Sequence, residues 1–182
     1  MNSKAVAILS SPQPCGHIVY PYTDEPQIVE AVALFASAGF RKGEAVLLVM
    51  TGAHYEPILR RLKLDGFDVD ALLASRQLIC ENAENLLASF MFDGIIDDLV
   101  FRTKIGGVIE EAKSNGRPVR VFGEMVSLIW QSQQRATERL EELWNQVIQE
   151  HSVPLLCAYS LTGVKPDSLP HSLVACHSHA IA

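Results

Sequence analysis

Apolar residues in this chain fall into two kinds of run that take turns. Short, almost continuous stretches occur at Gly16–Tyr22 (GHIVYPY), Ala45–Met50 (AVLLVM), Gln77–Cys80, Arg117–Phe122 (RPVRVF) and Val153–Tyr159 (VPLLCAY). Continuous apolar runs of this length are the signature of parallel strands buried on both faces. Between them the apolar positions return every three or four residues, as on one side of a helix. Glu25–Ala38 shows this at Ile28, Val29, Val32, Phe35 and Ala36, with Asp24 as its N-cap and Gly39 as its stop. Further helices are predicted over His54–Leu64, ended by Asp65-Gly66, near Asp68–Ser75, over Glu84–Met91, and over Asp97–Ser114, ended by Asn115-Gly116. A long helical stretch from Met125 to Glu150 is expected to break near Gln131–Gln134.

Strands and helices therefore alternate. This predicts an α/β fold, a three-layer α/β/α sandwich on a mainly parallel central sheet. Ala45–Met50, Arg117–Phe122 and Val153–Tyr159 are its expected interior strands. Residues 1–15, with Ser11-Pro12-Gln13-Pro14, read as a flexible leader, and residues 16–182 as a single domain. The last residues carry Pro166, Pro170 and a small-residue, His-rich end.

In such sheets ligands bind beyond the carboxyl ends of the strands, so the strand-to-helix junctions carry the chemistry. A nucleotide-binding domain would place a glycine-rich loop after its first strand, where backbone N–H groups wrap a phosphate. Here that turn is Thr23-Asp24-Glu25-Pro26, with two carboxylates and neither glycine nor lysine. Productive ATP or GTP binding is not expected. A net charge of −6 without a basic run argues against direct nucleic-acid binding by this segment. No apolar run reaches the roughly 18–20 residues needed to cross a bilayer, and no signal peptide is recognisable. A cytoplasmic protein is expected. Its four scattered cysteines read as reduced thiols.

His17 with Tyr22, AGFRKGEAVLLVMT (Ala38–Thr51), RVFGEMVSLIW (Arg120–Trp130), LEELWN (Leu140–Asn145) and LLCAY (Leu155–Tyr159) together resemble the MEDS domain. This sensory domain is named from methanogen and methylotroph regulators and a dichloromethane-responsive repressor. The combination covers roughly residues 16–160 and is specific, whereas each piece alone is weak. The resemblance implies a fold related to the KaiC/RecA-like ATPases without their phosphate-binding motifs. It also implies a sensor of small organic molecules that works with a fused or separate DNA-binding domain or histidine kinase. Pro21 stands where the family usually has an aromatic residue, and the chain shows neither a helix-turn-helix nor a kinase motif.

The ligand-binding candidates are Tyr20, Tyr22, Thr51, His54, Glu124, Met125 and Tyr159. Glu124 follows an apolar strand at a sharp Gly123-Glu124-Met125 junction, where a carboxylate can accept a hydrogen bond, act as a base or hold a cation. The plainer role is a helix-start carboxylate stabilised by the helix dipole, worth about 0.3–1 kcal/mol. Alternation puts Tyr20 and Tyr22 on one face of their strand and His17 on the other. Tyrosines there offer apolar area and a hydroxyl to a ligand, or simply pack beneath a helix. Thr51 reads as a helix cap, and His54 as a potential acid–base partner of Glu124. Trp130, Trp144 and Glu141 read as structural, the tryptophans in core packing or at a subunit interface, with Arg120 an available partner for Glu141. Cys176-His177-Ser178-His179 lacks the spacing of a tetrahedral metal motif. No catalytic residue, cofactor or metal is expected.

The expected function is thus a non-catalytic sensory domain of a prokaryotic signalling or transcriptional regulator. It would bind a small organic molecule such as a hydrocarbon derivative, and a second copy of the chain is another expected partner. The alternatives are an interaction module for a histidine kinase or regulator, and a small-molecule enzyme using Glu124 and His54.

Overall fold

A computed structural model describes residues 1–165 and 168–181. Pro166, one of the two C-terminal prolines noted above, lies outside them. The five apolar runs form β1 (His17–Tyr22), β2 (Ala45–Met50), β3 (Leu78–Asn82), β6 (Val119–Gly123) and β7 (Leu155–Ser160). A two-residue strand, β8 (His179–Ala180), completes a six-stranded sheet in the order β3-β2-β6-β7-β1-β8. Every pairing in it is parallel. The three expected interior strands are interior. β1 is interior too, because β8 covers its outer edge.

Helices lie on both faces. One face carries α1 (Ser3–Ser10), α2 (Glu25–Arg41), α3 (Gly52–Leu64) and α4 (Val69–Ala74). The other carries α5 (Ala83–Ala88), α6 (Asp98–Lys113), a 3₁₀ turn (Met125–Leu128), α7 (Gln134–His151) and α8 (His171–Ala175). Strand alternation sorts the side chains between the layers. Leu47, Val49, Val121, Leu155, Cys157 and Tyr159 face the α6–α7 layer. Leu48, Met50, Phe122, Leu156, Tyr20 and Tyr22 face the α2–α3 layer. Trp130 and Trp144 are buried in the α6–α7 layer, which is the core packing that was one of their two expected roles.

Three local expectations are corrected. The segment before β1 is not a plain leader: α1 is capped by the Asn2 side chain and buries Ala5 and Leu9. Gly39 does not end α2. The helix runs to Arg41, and the turn comes at Gly43, where φ is +75° and glycine is favoured. Gly39 serves close packing instead, because a Cβ there would stand 2.7 Å from Arg120 Nε. Finally, Asp93-Gly94 is not a gap between helices but the two-residue turn of a hairpin, β4 (Met91–Phe92) with β5 (Ile95–Ile96).

Arg120 is buried and pairs with Glu44, not Glu141. Its position in β6 aims it into the α2 layer, opposite to Glu141. There its Nη1 donates to the carbonyls of Phe35 at 2.7 Å and Leu9 at 3.4 Å.

Candidate functional site

Glu124 lies one residue past β6 and keeps that strand's alternation, so its side chain enters the α2–α3 layer with Arg120 and Phe122. It is 0% exposed. Three donors from different elements converge on it. Tyr22 Oη, at the end of β1, donates to Oε1 at 2.8 Å. The Thr51 backbone N–H, at the end of β2, donates to Oε2 at 2.9 Å. His54 Nδ1, in the first turn of α3, stands 2.6 Å from Oε1. The Glu124 N–H itself donates to Val49 O at 3.0 Å, fixing the junction to β2.

Thr51 is the N-cap residue of α3, but its side chain caps nothing. Its hydroxyl instead lies 3.2 Å from His54 Nδ1. The imidazole packs edge-on to Tyr22, with ring centroids 5.9 Å apart. With Nδ1 turned to the carboxylate, Nε2 faces outward and reaches solvent. The result is a Tyr–Glu–His relay that holds an imidazole at the sheet's carboxyl edge in one orientation.

The electrostatics follow from burial and these bonds. Burial works to raise Glu124, but the hydrogen bonds from His54, the Thr51 N–H and Tyr22 outweigh it and hold the carboxyl below its ordinary value. His54 is raised, chiefly by its bond to Glu124 and against its own burial. Tyr22 is raised by burial and then by the neighbouring carboxylate. Such a dyad can orient a polar ligand group at Nε2, or pass a proton there. The acidic turn after β1 is closed on itself: Asp24 Oδ1 accepts from Gln27 N at 3.0 Å, and Gln27 Oε1 accepts from Thr23 N at 2.9 Å.

Of the sequence candidates, Tyr22, Thr51, His54 and Glu124 come together. Tyr20 shares the face of Tyr22 but donates to Gln27 O at 3.3 Å, away from the carboxylate. Met125 and Tyr159 lie across the sheet. Tyr159 was expected in the same crevice because its strand ends on the same edge. Its parity along β7 is that of Leu155 and Cys157, so its ring points the other way.

There Tyr159 meets a second buried carboxylate. Glu141 projects from α7 with 0% exposure and accepts from Tyr159 Oη. His17 Nε2 lies 3.2 Å from Glu141 Oε2 and 3.2 Å from Cys157 Sγ. His177 Nε2, just past α8, lies 3.6 Å from Glu141 Oε1. Sequence reading took His17 for a core histidine, Glu141 for a structural residue and Cys157 for a reduced thiol, and missed their meeting. The meeting follows from the strand order, which the apolar runs do not reveal. β1 and β7 are neighbours in register His17↔Leu155, which sets His17 beside Cys157 on one face.

No helix of the described residues is long and apolar enough to cross a membrane. No curated protein matches the chain. The family model described as the MEthanogen/methylotroph, DcmR Sensory domain matches residues 16–178, nearly the whole length. The resemblance read from the junction segments is thereby borne out, and the chain belongs to the MEDS family of sensory domains.

Proposed function

We propose that this domain senses a small organic molecule at the Glu124 cluster, with no chemical turnover. The observation that carries the reading is the buried carboxylate at the sheet's carboxyl edge, with Tyr22, Thr51 and His54 fixed on it and His54 Nε2 turned outward. A ligand's polar group meets that nitrogen, and its apolar part lies against the strand-end side chains, as suits a hydrocarbon derivative. Movement of His54 changes the α3 N-terminus, and that change passes to a DNA-binding or histidine kinase partner in the cytoplasm.

The 2.6 Å Glu124–His54 contact also favours a second reading, an acid–base couple acting on a small substrate. One experiment separates the two. A panel of small halogenated and methylated compounds is screened by thermal shift on the wild type, His54→Gln and Glu124→Gln, and each hit is then followed for chemical change. A compound bound at 100 times its Kd adds about 2.7 kcal/mol of stability. The sensor reading expects a hit whose shift is lost in both variants and which is recovered unaltered. Turnover of the compound would establish the enzyme instead. A hit that shifts all three proteins equally would remove the site from the Glu124 cluster.

A further inference from the structure

The cluster across the sheet from Glu124 holds more acceptors than its donors can satisfy. Asn145 Nδ2 donates to Cys176 O at 3.1 Å, so the amide turns its Oδ1 toward His17. That oxygen only accepts, so His17 Nδ1, 3.0 Å away, carries the hydrogen. His177 Nδ1 likewise donates to Leu173 O at 2.8 Å. A neutral imidazole with its hydrogen on Nδ1 offers a lone pair at Nε2. The His17 lone pair meets the carboxylate and the weakly donating Cys157 thiol, and the His177 lone pair is aimed at the carboxylate, itself an acceptor.

His177 Nε2 is buried and finds no hydrogen-bond partner among the described residues. Its side chain is 0% exposed. An unpartnered buried acceptor facing other acceptors is costly unless a cation lies between them.

We propose that His17 Nε2, Glu141, Cys157 Sγ and His177 Nε2 form a buried site for one divalent transition-metal ion, with zinc the best fit. The four donor atoms all lie within 4.8 Å of one another. Zinc bonds of about 2.0–2.3 Å in a tetrahedron separate the ligand atoms by roughly 3.3–3.8 Å. The contacts here are 3.2 Å for His17–Glu141 and for His17–Cys157, 3.6 Å for His177–Glu141 and 4.0 Å for Cys157–Glu141. Small side-chain shifts bring these to the tetrahedral spacing.

Two nitrogens, a thiolate and a carboxylate suit zinc and disfavour calcium or magnesium, which take oxygen donors. The surrounding groups match those of known metal sites, where each ligating histidine gives its other N–H to a carbonyl and the ligating carboxylate is itself hydrogen-bonded. Here those partners are Asn145, Leu173 O and Tyr159. As the ion enters, the Cys157 thiol gives its proton to solvent. Four protein ligands close the shell, so the site ties elements together and does not activate water. It joins β1, α7, β7 and the segment after α8. The His-rich tail does contribute, but through His177 alone. Cys176 Sγ donates to Ser172 O at 3.3 Å, and His179 Nδ1 lies 2.9 Å from Ser178 Oγ.

The test loads the stripped full chain with zinc, and in parallel with cobalt as a coloured substitute. The expected result is one equivalent of zinc per chain, a raised melting temperature, and a tetrahedral cobalt spectrum with a thiolate charge-transfer band. Cys157→Ser and His177→Gln are expected to weaken zinc by more than the roughly 10–100-fold that loss of a supporting partner costs, and Asn145→Ala by that 10–100-fold. Cys176→Ser and His179→Gln should bind as the wild type does. Circular dichroism checks that each variant is folded. Should the ligand variants fail to fold, the wild-type cobalt spectrum decides. A tetrahedral spectrum with the sulfur band upholds the site, whereas a pale octahedral one overturns it. Absence of stoichiometric zinc in the wild type, or zinc retained undiminished by folded Cys157→Ser, also overturns it.

Discussion

Glu124 and Glu141 are two buried carboxylates on opposite faces of one sheet, and each has a tyrosine and a histidine beside it. Their surroundings differ in one respect. Around Glu124 the count of donors and acceptors closes: a phenol, a backbone N–H and an imidazole N–H meet two oxygens. Around Glu141 a phenol donates, and the Cys157 thiol donates at 4.0 Å, while two imidazole nitrogens crowd the same carboxylate. The first arrangement is complete within the protein and keeps an edge at the surface through His54. The second is sealed, with an acceptor left over. The same residue types thus serve a surface relay in one layer and a cation-seeking cluster in the other.

The comparison is broken most forcefully at Glu141. Glu141→Ala opens a cavity in a sealed cluster and leaves the Tyr159 hydroxyl without its acceptor, and is expected to cost about 2–5 kcal/mol, as for other large-to-small changes in a packed interior. Urea denaturation measures it, and a loss below 1 kcal/mol would mean the cluster tolerates its own absence. Glu124→Gln should cost less, about 1–3 kcal/mol. The amide oxygen still accepts from one donor, while the amide nitrogen must face another. Equal losses for the two variants would erase the distinction between an open and a sealed site.

The tyrosines give a finer contrast. Tyr159→Phe leaves one oxygen of Glu141 without its donor, and about 1–3 kcal/mol is expected, whereas Tyr22→Phe leaves His54 Nδ1 on the same oxygen and about 1 kcal/mol is expected. A reversed order in paired melts would contradict the donor count.

The smallest effect is in pH. His54 is raised, so its contribution to stability is complete below its ordinary value of 6.5 and fades as pH rises through the raised value. Glu124 is depressed, so its contribution is present above its ordinary value of 4.5 and is lost as pH falls through the depressed one. The stability difference between the wild type and His54→Gln should therefore be greatest between pH 4.5 and 6.5 and shrink above it. A difference that grows toward alkaline pH would show that the pair is not charged as described.

The sheet was legible in sequence because strands buried on both faces carry a continuous apolar run, which AVLLVM and VPLLCAY state plainly. The Glu124 site was legible for a related reason: in a parallel sheet all strand ends share one edge, so Tyr22, Thr51 and Glu124 had to be neighbours of some kind. Which face each side chain takes depends on counting parity through a junction, and Tyr159 failed on that count. The Glu141 cluster was not legible as a unit. Its donors come from β1, α7, β7 and the C-terminal segment, and only the strand order β7-β1 brings the first and third together. β8 was barely legible because two residues make almost no pattern. α1 was hidden by the proline-rich stretch that follows it.

Gly39, Arg120 and Glu44 have a consequence for how this sequence is free to drift. Any side chain at 39 collides with the guanidinium, and any residue at 120 without that fork strands Glu44 and the carbonyls of Leu9 and Phe35. The three positions are therefore expected to change together. A lineage that loses the arginine is released from the glycine, and its relatives should show either the whole set or none of it.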